Sequence, residues 1–338
     1  MAFSAAAENA GSGMIGFVTK RLLQGAIVVL VMSAIVFAAV YAIGDPIELL
    51  VHPEATQLER EAFARALGLD QPLYVQYLLF LQSAATGNLG NSFAFNIPAI
   101  QLILQRMPAT MELALAATVL AILIGIPLGL VAGLHPERLY ARGIMVGSIL
   151  GFSLPTFWVG LLLILVFGVL LSWFPVFGRG ETVSVMGLEV SFLTVDGLRH
   201  LFLPALNLAL FKISLLTRLT SAGVREALPQ DYVRFGKAMG LSPARILFGH
   251  VLKNIMIPIV TVIGIEFGSV IAFAVVTETI FNWPGMGKLI IDSINYLDRP
   301  VIVAYLMVIV VLFVVINLVV DLLYAAFDPR VMLGASNR

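Results

Sequence analysis

The chain has 338 residues, 60% of them hydrophobic and 12% charged, with a mean hydropathy of +1.00; soluble domains carry about 25% charged and about 45–50% apolar residues. No water-soluble core absorbs such an excess, so the bilayer is the implied solvent. Twenty basic residues balance twenty acidic ones, which leaves no footprint for nucleic acid, and the absence of cysteine removes disulfides, thiol catalysis and cysteine metal sites.

Six apolar runs are long enough to cross about 30 Å of hydrocarbon: 22–43, 110–134, 144–171, 201–222, 255–281 and 301–324. The segment 1–21 before them has no periodicity in its first dozen residues, which are expected to be mobile, and Met14 is an alternative start. The first run exceeds the 7–15 residues of a signal-peptide core and reads as a retained helix. Basic residues set the sidedness. With the N-terminus inside, twelve fall on the cytoplasmic side, among them Lys20, Arg21, Arg138, Arg142, Arg234 and Lys237, against seven outside. Both termini, including the tail 325–338, are therefore expected to be cytoplasmic.

The exterior segment 44–109 is too polar to span and too patterned to be disordered. Thr56 and Glu59 form a capping box for a helix ending at Gly68, and Pro72 starts a second amphipathic helix that fades at Gly87. The segment reads as a small lid packed on the spans, or as a docking surface or cap over a channel exit. In the second span, Gly125, Gly129 and Gly133 form a small-residue face suited to close helix packing, and Pro127 predicts a kink.

Polar groups inside spans are costly and face protein or a watery path. Lys212 in the fourth span and Glu266 in the fifth lie at similar depths, so they are expected to pair or to line a passage opposite one another, with Asn207 and Thr217 as further lining candidates. Glu112 and Asp321 lie near span ends, where snorkelling is expected; Asn317, one turn before Asp321, marks a helix–helix hydrogen-bond site. Two of Trp158, Trp173 and Trp283 fall near exterior interfaces, where aromatic anchors are expected. His52, His135, His200 and His250 show no metal-ligand spacing, and no metal site is expected.

The loop 223–254 between spans four and five is basic and amphipathic. Pro229 suits the first turn of a helix running through Met239, Gly240 suits the left-handed position past its end, and Ser242 caps a second helix with Pro243 at its first position. The loop is thus predicted to be a helix-turn-helix projecting into the cytoplasm; membrane on both sides argues against a DNA-binding one.

The run Asp231-Tyr232-Val233-Arg234-Phe235-Gly236-Lys237-Ala238-Met239-Gly240-Leu241, followed by Asn254 and Ile257-Pro258, resembles the signature loop of binding-protein-dependent ABC importer permeases, most closely the first permease of the dipeptide/oligopeptide/nickel group. Further matches are Gly44-Asp45-Pro46, Leu67-Gly68-Leu69-Asp70-Gln71-Pro72, Gly87-Asn88-Leu89-Gly90, Pro108-Ala109-Thr110-Met111-Glu112-Leu113, Ser153-Leu154-Pro155-Thr156-Phe157-Trp158, Thr277-Glu278-Thr279-Ile280-Phe281 and Pro284-Gly285-Met286-Gly287. Three departures stand out: the family usually has alanine where Gly236 stands, proline where Ile43 stands, and no counterpart of the first thirteen residues.

The resemblance implies an all-α integral membrane fold of the type I importer permease, with six transmembrane helices and a cytoplasmic coupling helix-turn-helix, in a bacterial inner membrane. It implies that Asp231, Arg234, Gly240, Leu241 and Ser242 sit at or near an ATPase subunit, with Leu241 as the apolar anchor. It also implies a second homologous permease, two ATPase subunits and a periplasmic or lipid-anchored substrate-binding protein. The chain has no phosphate-binding loop: near Gly287-Lys288, Asn282 and Leu289 occupy positions that need glycine and serine or threonine. It is therefore expected to bind no cofactor, with ATP and magnesium held by the partner ATPases. Expected solutes are dipeptides or oligopeptides, with nickel chelates, opines, glutathione or haem as alternatives. A secondary transporter would show internal repeats and more intramembrane acids. An intramembrane enzyme would show paired mid-span aspartates or a His-Glu-x-x-His motif, and neither is present.

Overall fold

The computed structural model describes residues 2–43, 56–66 and 71–327. The Gly44-Asp45-Pro46 triplet, residues 67–70 and the end of the tail lie outside them. Two compact units divide the chain, one of residues 1–105, 289–318 and 332–338, the other of 106–288 and 319–331.

In the first unit, α1 (Ala2–Ile43) is helical from its start, through the stretch expected to be mobile, and its apolar part covers Val18–Ala39. Two short helices follow, α2 (Gln57–Ala66) and α3 (Leu73–Ala85). The phenol of Tyr77 on α3 meets Ser33 Oγ of α1 at 2.8 Å, and its ring packs edge-on against Phe37. Gly87 and Gly90, at φ 74° and 88°, then turn the chain through a loop that leads to helix α4 (Ala99–Leu134). Asp298 locks this loop. Its carboxylate accepts from Ser92 Oγ at 2.5 Å and from the backbone N–H groups of Phe93 and Ala94. The remaining helices that contribute here are α11 (Met286–Asn295) and α12 (Arg299–Phe327).

In the second unit, α4 continues into its apolar half. There follow α5 (Leu139–Ser153), α6 (Thr156–Leu163) with a π-helical extension Ile164–Leu170, a hairpin of β1 (Val183–Val185) and β2 (Leu188–Val190), and α7 (Val195–Ala227). Then come α8 (Asp231–Ala238), α9 (Pro243–Ile246) with a π-helical turn Leu247–Val251, and α10 (Leu252–Ile280). The hairpin, paired Val183 to Val190, and an isolated bridge between Asn91 and Pro98 are the departures from an all-helical plan among the described residues.

Among the described residues, five helices are long and apolar enough to cross a membrane, and a sixth span is present if α5 and α6 count as one. They bend by 108° at Leu154-Pro155, so the expected continuous helix over 144–171 is broken. Proline has no N–H to donate and disfavours helical geometry at the residue before it; Leu154 is extended, at φ −79° and ψ 135°.

The glycine face of α4 packs as its spacing predicts. A Cβ on Gly129 would lie 2.5 Å from Thr220 Cβ and 2.6 Å from Thr217 O, and one on Gly133 would lie 2.8 Å from Val224 Cβ. Only glycine lets α7 approach α4 this closely.

Candidate functional site

Between α7 and α10 the chain forms an elbow. Helix α7 runs to Ala227, so Pro229 lies in the connecting turn and not in the first turn of α8, where it was expected; α8 begins at Asp231 with Gln230 as its N-cap. The end of α8 is closed by two backbone bonds, Leu241 N–H to Gly236 O at 3.1 Å and Gly240 N–H to Lys237 O at 3.0 Å. With Gly240 at φ 76°, this is the paired closure that a left-handed glycine permits. Ser242 then caps α9: its Oγ accepts from Arg245 N–H at 3.4 Å, and Pro243 holds the first helical position. Val233, Gly236 and Ile246 are buried between the two short helices.

The elbow has a wet face and an apolar one. Asp231 and Arg234 are exposed and 3.7 Å apart, a pair too solvated to stabilise much. Leu241, expected to be the apolar anchor, is half-buried within the elbow. Phe235 and Met239 are instead the large side chains left in solvent, at 68% and 67% exposure, with Tyr232 and Phe248 also exposed. Sequence reading missed them. The available signal was Phe235 and Met239 at i and i+4 on a short basic helix whose buried stripe is already supplied by Val233 and Gly236.

The polar residues of the spans divide into two groups. Asn207 Nδ2 donates to Thr277 Oγ1 at 3.0 Å and Thr217 Oγ1 donates to Gly125 O at 3.3 Å, each residue 1% exposed; both tie helices together. Lys212 and Glu266 meet, but not as a carboxylate ion pair: Lys212 Nζ donates to the backbone carbonyl of Glu266 at 2.7 Å. Both line a small open-sided depression with Thr118, Ala121, Leu215, Leu216, Val262 and Ile263.

A second set of motif residues is architectural. Glu112 does not snorkel: it is 6% exposed, pairs with Arg179 at 2.5 Å, and accepts from Ser191 N–H and Oγ and from Phe192 N–H. Glu278, fully buried, accepts from Thr110 Oγ1 at 2.7 Å and Lys288 N–H at 2.9 Å, while Thr110 Oγ1 accepts from Met286 N–H. Trp283 is not an interfacial anchor either. It is fully buried, with its indole N–H on Ala109 O at 2.9 Å, whereas Trp173 is exposed as expected. A Cβ on Gly285 would collide with the Glu278 carboxylate, so this glycine is required by the approach. Asn317 bonds the carbonyl of Phe313 in its own helix, not a neighbouring helix.

The fold has a counterpart among solved structures. The structure matches a chain of the inward-facing MetNI methionine ABC transporter with a TM-score of 0.53 at 15% identity, over 68% of this chain and 98% of that one.

Residues 125–333 match the family of binding-protein-dependent transport system inner membrane components, and residues 14–114 match the N-terminal region of such components; the chain belongs to that family. It is 39% identical to the di/tripeptide transport system permease protein DppB of Pseudomonas aeruginosa and 39% identical to the oligopeptide transport system permease protein AppB of Bacillus subtilis. It is also 36% identical to the glutathione transport system permease protein GsiC of Escherichia coli; each match covers 94% of this chain and 99% of the relative. The chain is therefore a multi-pass inner-membrane permease component of an ABC importer, and not an enzyme.

Proposed function

We propose that this permease forms half of a translocation pathway for a di- or oligopeptide, the other half coming from a second, homologous permease. The relatives named for di/tripeptides and oligopeptides support that solute class. Two ATPase subunits bind ATP and magnesium and drive the cycle, and a substrate-binding protein delivers the peptide from outside. Both termini and the elbow lie on the cytoplasmic side, in keeping with the basic residues there.

The observation that carries the coupling role is the elbow itself. Two capped short helices hold Phe235 and Met239 in solvent on a stiff support. Exposed aromatic and methionine side chains on a rigid element are what a protein partner's pocket takes up. Asp231, Arg234, Gly240, Leu241 and Ser242 position this face: Gly240 and Ser242 make the turn, Leu241 packs inside it, and Asp231 with Arg234 forms its polar rim. Closure of the ATPase dimer then moves α7 and α10 through the elbow. Lys212 and Glu266 line the path between them.

The test is reconstitution of the permease pair with its ATPases and binding protein in liposomes. ATP-dependent uptake of a radiolabelled tripeptide is expected, and Leu241→Asp or Phe235→Asp should abolish both ATPase assembly and uptake. Survival of both in each variant would reject the coupling role. Glutathione is the second solute to test, because a glutathione permease component is similarly related.

A further inference from the structure

Helix α3 carries an apolar stripe that no described residue covers. Tyr74 and Leu78, one turn apart, are 70% and 60% exposed, and Leu79 and Gln82 are exposed beside them. No Asp, Glu, Lys or Arg occurs from residue 71 to residue 105, whereas α2 alone holds Glu59, Arg60, Glu61 and Arg65. With 13 residues, about 20 Å, α3 is too short to span. An apolar helix of this length belongs in a protein core or at a membrane interface, and its exposure excludes the core. Contacts with α1 give its depth. The side of α3 that carries Tyr77 and Phe80 packs on Phe37 of α1. The Tyr77 hydroxyl meets Ser33 Oγ at 2.8 Å and donates to Leu30 O at 3.2 Å, and Ser33 Oγ donates to Leu30 O at 2.7 Å. Ser33 lies six residues, about 9 Å, inside the C-terminal end of the apolar stretch Val18–Ala39. These hydroxyls are thus at the level of hydrocarbon, and they are satisfied within the protein, as lipid demands.

We propose that α3 is a membrane-seated helix whose exposed stripe, Tyr74, Leu78 and Leu79, lies in the lipid leaflet at the C-terminal end of α1. In the orientation proposed above this is the outer leaflet, but the depth argument holds for either. Lipid is the partner that the chemistry fits. Protein interfaces surround an apolar centre with a polar rim, and this uncharged segment offers little beyond Gln82. A tyrosine on the stripe suits the boundary between acyl chains and headgroups. Beside it α1 also exposes Ile27, Val31 and Ile35, apolar surface of the same kind on a helix of spanning length. Helix α3 is then a lipid anchor for the segment between the first two spans, and not a lid over a channel exit.

The chain has no cysteine, so a single introduced thiol can carry a nitroxide, with the unsubstituted chain in the same assembly as background. Leu78→Cys and Leu79→Cys on α3, and Gln57→Cys on the charged α2 as an aqueous reference, are labelled in the complete transporter in liposomes. Collisions of each nitroxide with oxygen, which concentrates in lipid, are compared with its collisions with a water-soluble nickel chelate. Oxygen is expected to dominate at both α3 positions and the chelate at Gln57. Dominance of the chelate at positions 78 and 79 would put α3 in water. Protection of both positions from both reagents would put a protein, the second permease or another copy of this chain, on the stripe. Either result overturns the proposal. The measurement needs no transport, so it stands or falls independently of the solute reading.

Discussion

Two regions of the second unit use similar residue types to opposite ends. Around Glu112 and Glu278, all four carboxylate oxygens accept hydrogen bonds, and the large side chains Trp283, Phe281 and Met286 are fully or almost fully buried. In the elbow, the charged pair Asp231 and Arg234 is solvated, and Phe235 and Met239 remain in water. Burial with satisfied hydrogen bonds indicates architecture; large apolar groups kept exposed on the elbow are what the proposed ATPase contact rests on. Both regions lie in motifs that look equally distinctive in the sequence, so motif strength alone does not separate scaffold from interface.

Variants should fall apart along this line. The largest effect is expected from Glu112→Ala, which removes the counter-charge of Arg179 and leaves the donors of Ser191 and Phe192 unpaired. Breaking a buried pair costs roughly 3–5 kcal/mol, to be read as a lower melting temperature of the purified permease in detergent. If the melting temperature is unmoved, the architectural assignment fails. Phe235→Ala should leave that temperature unchanged and weaken ATPase binding by about 2 kcal/mol or more, the range of an interface hot spot; a titration against the purified ATPase measures it. Gly129→Ala should destabilise by about 1–3 kcal/mol through overpacking, since its Cβ would meet the backbone oxygen of Thr217 as well as a side chain. The smallest effect has the opposite sign. At Gly236 a Cβ would sit 3.5 Å from both Ile246 Cγ1 and Leu241 Cδ1, ordinary contact distances. Gly236→Ala should therefore stabilise α8 by about 0.5–1 kcal/mol, seen as slower amide exchange in the elbow with uptake retained. A loss of protection there would mean that glycine is needed in this helix.

Much of the elbow was legible because its signals are local. Gly240, Ser242 and Pro243 each act through backbone conformation or a bond within three residues, and the structure places each where the local chemistry puts it. Pro229 was misplaced because proline suits both a helix start and the turn before one, and only the length of α7 decides between them. That Leu241 is half-buried while Phe235 stays exposed has a longer-range reason. Which of two apolar residues a short helix buries depends on where Ile246 comes back to meet it.

The apolar spans, the glycine face of α4 and the caps of the elbow follow from composition, periodicity and near-neighbour bonding, so the chain alone determined them. The burial of Glu112 and Trp283, and the use of a carbonyl in place of a carboxylate to hold Lys212, were decided only by tertiary structure. The physical reason is separation: Glu112 meets Arg179 sixty-seven residues away and Thr110 meets Glu278 at a distance of 168. Periodicity shows that a polar group sits in an apolar helix, but only the packed chain determines which distant donor reaches it.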